Sequence, residues 1–153
     1  MTSRNWIHRL SQSSARQDRK KTDLLPLPVG IRNVLSLEYH LLLETLRAGA
    51  GTLSALKILT RVALATSMLD EHGYGGRFNL TFDVLEDAAY RSFKRGELIG
   101  TFSFEEETFC LFAELLTHHD RQLAAAPVSA IERVGKRLEH PNHAIAARTV
   151  QSR

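Results

Sequence analysis

Apolar residues recur at helical spacing over residues 31–47, 53–71, 80–95 and 104–125, and short glycine-bearing breaks separate the four stretches. The pattern predicts a helical bundle, because glycine readily adopts the left-handed conformation that ends a helix. Thr52, Ser103 and Ser129 stand where a side-chain oxygen can accept from the unpaired amides opening the next helix. The first helix, 31–47, places Ile31, Val34, Leu35, Leu41, Leu42 and Leu46 on a broad stripe, with Arg32, His40, Glu44 and Arg47 largely outside it. The second, 53–71, carries Leu53, Leu56, Leu59, Leu64 and Leu69 with Ile58, Val62 and Met68, more apolar surface than one neighbour can cover. Gly49-Ala50-Gly51-Thr52 between them is short enough to impose an antiparallel hairpin.

Gly73-Tyr74-Gly75-Gly76 ends the second helix, and Asn79 or Thr81 opens a third with Leu80, Phe82, Leu85, Ala88, Ala89 and Phe93, which Gly96 is expected to stop. A tight turn follows at Gly100. Ser103 with Glu106 reads as a capping box, and Glu105 to Glu107 suit the positive end of a helix dipole, so the fourth helix opens there and buries Phe109, Phe112, Leu116 and Leu123. Ser129 with Glu132 reads as a second box, opening a short basic helix from Ala130 to about Glu139, before Pro141. No β-branched alternation is long enough for a sheet. The predicted fold is all-α, a single-domain bundle of four main helices plus a short C-terminal helix.

Residues 1–23 are rich in Ser, Gln and Arg and too poor in apolar groups to offset the entropy of ordering, so they read as a disordered basic N-terminal arm. Leu24-Leu25-Pro26-Leu27-Pro28 follows as a stiff, extended lead-in. The organisation is therefore arm and lead-in at 1–28, bundle at 29–140 and a flexible tail at 141–153. Length fits one core. The net charge of +3 hides a partition: six Lys or Arg against two acids in residues 1–23, nine against thirteen in 24–126, and five against two in 127–153. Basic ends flanking an acidic body can attract nucleic acid or an acidic protein surface. The single cysteine, Cys110, sits among Phe109, Leu111 and Phe112 and reads as a buried thiol in a reducing compartment. No apolar run approaches the roughly 20 residues of a spanning helix, and no signal-peptide core is present, so the chain reads as soluble and cytoplasmic, without a membrane partner.

Chemical signatures dissolve on inspection. His40 and Glu44, and Glu114 and His118, are four apart, but the di-iron bundle spacing of Glu three residues before His is missing, and the adjacent His118 and His119 diverge by about 100°. The histidines read as surface groups, and no metal or cofactor is expected. The two glycine clusters follow helices rather than strands, which removes them as phosphate cradles. Cys110 lacks the basic setting of a reactive thiolate and no serine sits in a nucleophile elbow, so no catalytic residue and no enzyme activity are assigned.

Two sets of residues remain for binding. Trp6, Ile7 and Leu10 would share one face of a helix and read as a docking peptide, while Arg77 beside an exposed Tyr74 reads as a small recognition spot. Arg4, Arg9, Arg16, Arg19, Lys20 and Lys21 in the arm, with Arg133, Lys136 and Arg137 near the other end, form the basic segments suited to phosphates. Leu35-Ser36-Leu37-Glu38-Tyr39-His40, Gly73-Tyr74-Gly75 and His119-Asp120-Arg121-Gln122-Leu123 together resemble a group of small, largely uncharacterised proteobacterial all-helical proteins, some labelled Fis-like regulators, over about residues 30–125. The resemblance implies a bacterial or mobile-element accessory protein with a regulatory role and supplies no catalytic residue. A Fis-type protein ends in a compact helix-turn-helix rich in Lys and Arg, whereas this chain ends in one short basic helix and a tail. The expected function is a non-enzymatic regulatory or adaptor protein, engaging a protein partner or itself as a homodimer; the alternative is a nucleic-acid-binding transcriptional regulator using the basic terminal segments.

Overall fold

Among the described residues five helices follow in chain order: α1 (Val29–Arg47), α2 (Leu53–Asp70), α3 (Phe82–Ile99), α4 (Glu106–Ala125) and α5 (Val128–Glu139). They come from a computed structural model that describes residues 21–140, and no β-strand forms among those residues. The all-α reading holds. No helix among the described residues is long and apolar enough to cross a membrane.

The apolar surplus of α2 decides the architecture. It buries Ala55, Leu56, Leu59, Val62, Ala63, Thr66, Met68 and Leu69, and touches each of the other four helices. α1 packs chiefly on α4 and α3 chiefly on α2. The α1–α2 hairpin forms as its residues dictate: Gly49 adopts φ +76°, and Thr52 Oγ1 accepts from the Ala55 amide at 3.1 Å. Phe112, Leu46, Leu59, Leu85, Leu115 and Leu116 are the largest apolar side chains sealed in the main core.

The starts of α4 and α5 depart from the expected serine caps, and long-range backbone bonds run at or just before both. α4 opens at Glu106 after Glu105, with no side-chain cap. Ser103 lies outside it, its carbonyl accepting from Arg95 Nη2 at 2.9 Å, while the Phe104 amide donates to Leu46 O at 2.9 Å and the Phe104 ring is buried against Phe112. α5 opens at Val128 rather than Ala130, and Ser129 does not cap it. The amides of Val128 and Ser129 donate instead to Leu25 O (2.9 Å) and Asp23 O (3.1 Å). Pro26 pairs with Pro127 there, and Leu27 is buried with Leu35 and Leu123, so the lead-in is packed against the bundle.

α3 runs through Gly96 and ends at Gly100, which takes φ +85°. Gly96 is buried inside the helix because the Phe102 ring lies directly over it, and a Cβ there would run into that ring. Alanine ordinarily gains up to about 1 kcal/mol over glycine in a helix. Here Phe102 is held by its bridge to Gly51 and by stacking on Phe93 at 6.3 Å, so overpacking wins. Gly96→Ala is expected to lower stability by about 1–2 kcal/mol in a denaturant titration, net of the helix-propensity gain; an unchanged or higher midpoint would show that the ring moves freely.

Two side-chain placements also differ from the sequence reading. Cys110 is exposed, since in a helix it points about 100° away from Phe109 and further from the sealed Phe112. α1 buries Leu35, Leu43 and Leu46, leaving Val34 and Leu41 in solvent with Leu37. Because α1 is apolar on two faces, its stripe is rotated relative to the one expected.

Candidate functional site

Polar groups meet inside the bundle where the C-terminal turns of α2 face the second half of α4. Thr66 and Asp70, four apart, share one face of α2, and His118, His119 and Gln122 come from α4. Both histidines are buried, at 1 % and 5 % exposure, rather than surface groups. His118 Nε2 lies 2.7 Å from Asp70 Oδ1. Gln122 Nε2 donates to the same oxygen and to Thr66 O, each at 3.0 Å. Those two bonds orient the Gln122 amide so that Oε1 faces His119 Nδ1 at 3.3 Å, and Thr66 Oγ1 lies 3.0 Å from the same nitrogen.

The surroundings set the charge states. Burial pushes His119 down to about 4, against weaker opposite pulls from Gln122 and Asp120, so its ring stays neutral at pH 7. Tyr39, its ring 5.8 Å from that of His119, is pushed up to about 12 by burial, with Glu38 adding to the rise, and keeps its phenolic proton. Next along both helices, His40 Nε2 lies 3.0 Å from Asp120 Oδ2 at the half-exposed edge.

The loop between α2 and α3 closes the cluster from a third side. Phe78 stacks on the His118 ring at 4.3 Å with 3° between planes. Gly75, at φ +88°, runs so close that a Cβ there would sit 2.6 Å from Gln122 Cγ and 3.1 Å from His118 Cε1. Segments 35–40, 73–75 and 119–123, far apart in sequence, are thereby brought together. Beside them a cleft of about 410 Å³ opens between α2 and the start of α3, lined by Thr66, Ser67, Asp70, Glu71, Phe78 and Asp83 among others. Its wall includes Asp70 but not His118, whose imidazole lies behind that carboxylate and beneath Phe78. His118 Nδ1 is buried without a hydrogen-bond partner among the described residues. The pair is thus a positioned hydrogen bond with its base shut away.

No group of three or more His, Cys, Asp or Glu among the described residues is arranged to hold a metal. The helix pairs weighed from sequence are not gathered: His40 goes to Asp120, His118 goes to Asp70, and Glu114 is exposed. Thr66, Asp70 and Gln122 were missed. Their signal is a polar residue in phase with core positions, Thr66 with Leu59 and Val62, and Gln122 with Leu115.

Among the binding residues expected from sequence, Trp6, Ile7, Leu10, Arg4, Arg9, Arg16, Arg19 and Lys20 lie outside the described residues. Tyr74 is half-buried against the cluster of Met68, Leu69, Ala130 and Val134, while Arg77 is exposed, so Tyr74 is a packing residue rather than an exposed recognition group. Arg133, Lys136 and Arg137 are exposed on α5, where Arg137 approaches Glu71 at 3.8 Å. Lys21 is exposed two residues before Asp23, whose carbonyl caps Ser129, so the base of the N-terminal basic segment adjoins the start of α5. The outward side of α1 carries Val34, Leu37 and Leu41 at 66, 60 and 56 % exposure, and Leu24, Leu25 and Val29 are exposed just ahead of them.

No protein-family model, curated protein or solved structure matches this chain.

Proposed function

We propose that this chain is a non-enzymatic regulatory or adaptor protein that acts by binding a protein chain through the outward face of α1. The observation that carries the reading is the row Val34, Leu37 and Leu41, left in water by a helix whose opposite side fills the core. An isolated exposed leucine needs no explanation, whereas a contiguous row on one helix is the surface an amphipathic partner covers. Each such side chain, once covered, contributes about 1.5–3 kcal/mol when fully buried. The burial of the His118 imidazole, which does not line the neighbouring cleft, supports the non-enzymatic half. A bacterial or mobile-element accessory role, in the cytoplasm, agrees with the resemblance and with the lone cysteine.

One observation favours nucleic acid as the second reading. The Ser129-to-Asp23 hydrogen bond joins the stretch that holds the exposed Lys21 to the helix carrying Arg133, Lys136 and Arg137, so cations far apart in sequence belong to adjoining segments.

Affinity capture from the host, with and without nuclease, tests both. The full chain is expected to hold a protein partner that survives nuclease and is lost in a Leu37→Glu, Leu41→Glu variant. Recovery of nuclease-sensitive nucleic acid alone, unaffected by those changes, would replace the adaptor reading with the second one.

A further inference from the structure

We infer that the trough between α2 and α3 is a ligand site for a small amphipathic anion, a free fatty acid whose carboxylate is held by Lys57 and Arg61 and whose chain lies along the trough. The inference goes beyond the adaptor reading and does not depend on it, because the trough is built by α2 and α3 rather than by the outward face of α1.

The shape follows from side-chain size along α3. Phe82, Ala89 and Phe93, at spacings of seven and four, fall within about 20° of one line along that helix. Ala89 is buried between the two aromatic positions, so the small side chain leaves a hollow that the rings bound. Leu56, buried, and Leu53, Ile58 and Leu64, half-buried, supply the apolar wall from α2. The trough holds about 650 Å³, within the range of roughly 300–1,000 Å³ that small-molecule sites occupy.

Its length limits the occupant. The lining comes from 53–64 and 82–93, about 18 Å of each helix at 1.5 Å per residue. A specific protein partner covers about 800 Å² on each side, more than a channel of that length between two helices offers. A single apolar chain fits it, whereas a lipid with two chains would leave one in water.

Charge names the head group. Lys57 and Arg61 are exposed, line the trough and stand four apart on α2, where like charges repel. α2 carries no acidic residue before Asp70, and neither cation makes an ion pair among the described residues. Among the lining residues Glu86 alone is acidic, and it belongs to α3, so the two cations direct a ligand carboxylate to the α2 side. The Arg61 guanidinium can take that carboxylate in bidentate fashion while Lys57 adds a point charge. Tyr90, 57 % exposed on the α3 side, offers a ring against which the chain can lie.

Isothermal titration calorimetry of the full chain with monomeric dodecanoate tests this. Saturable binding is expected, weakened about tenfold in a Lys57→Met, Arg61→Met variant whose helical circular dichroism is unchanged. Tyr90→Glu, which sets a carboxylate beside the bound one, is expected to weaken it as well. Dodecyltrimethylammonium, the same chain with the opposite charge, is expected not to bind. No saturable binding of dodecanoate, equal affinity for dodecyltrimethylammonium, or indifference to both variants would each overturn the inference. Binding to phosphatidylglycerol vesicles without binding of monomeric dodecanoate would overturn it too, since the source would then be a membrane. Capture of a protein through α1 is a separate readout, so either reading can fail while the other stands.

Discussion

Gly75→Ala is expected to lower the melting temperature by on the order of 10 °C. Two costs coincide at that position. The backbone is at φ +88°, where an L side chain costs roughly 1–2 kcal/mol. The new Cβ would also sit 2.6 Å from Gln122 Cγ, and Gln122 is fully buried and tied by its amide to Thr66 and Asp70, so it has nowhere to move. Overpacking a held side chain adds about 1–3 kcal/mol. Gly73→Ala separates the two, because Gly73 has φ +78° and a Cβ there meets nothing within 4 Å. Thermal unfolding followed by circular dichroism should show a loss for Gly73→Ala of only about 1 kcal/mol. Equal losses at both positions would mean that the contact with Gln122 contributes nothing.

Stability is expected to fall by about 3 kcal/mol between pH 6.5 and pH 4 through His119 alone. The folded ring is held down to about 4 by burial, against an ordinary value of 6.5, so between those limits the unfolded chain binds a proton that the folded chain refuses. Protons therefore favour unfolding as pH drops through that window, and the loss is complete below about 4. Thr66 and Asp70 from α2, Tyr39 from α1, and His118, Asp120 and Gln122 from α4 surround the ring. His119→Gln removes the titration while keeping a polar group beside Thr66. Urea unfolding at several pH values should give the variant a shallower slope across the window, even if it is less stable at pH 7. Parallel slopes would show that the buried ring acquires its proton without unfolding.

The helix inventory was legible because it depends on local pattern, and Thr52 shows why: its cap reaches only to Ala55. Ser103 and Ser129 carry the same local signal and fail, because the starts of α4 and α5 are settled by Leu46, Asp23 and Leu25, residues that no window around either serine contains. Periodicity identified α1 as apolar but could not choose its inward side, since Leu35 and Leu43 point one way and Leu37 and Leu41 the other. The polar cluster was hidden by a similar ambiguity. Adjacent histidines diverge around a helix and cannot share one ion, and from sequence they read as surface groups. α4 is covered on two sides, so His118 meets Asp70 on α2 while His119 lies between Thr66 and Tyr39, and both are enclosed.

The pairing of Asp23 and Leu25 with Ser129 and Val128 makes the order of assembly a matter of chain separation. These backbone bonds close a loop of about a hundred residues, whose entropic penalty is met only after the intervening helices have collapsed and drawn its ends together. During synthesis the lead-in is made well before its partners and must wait, with Leu27 only partly covered, until the residues after Pro127 emerge. The last turn of this bundle to be secured is therefore joined to one of the first segments made, and a ribosome stalled before α5 would hold a chain whose four long helices can pack while its beginning stays unfastened.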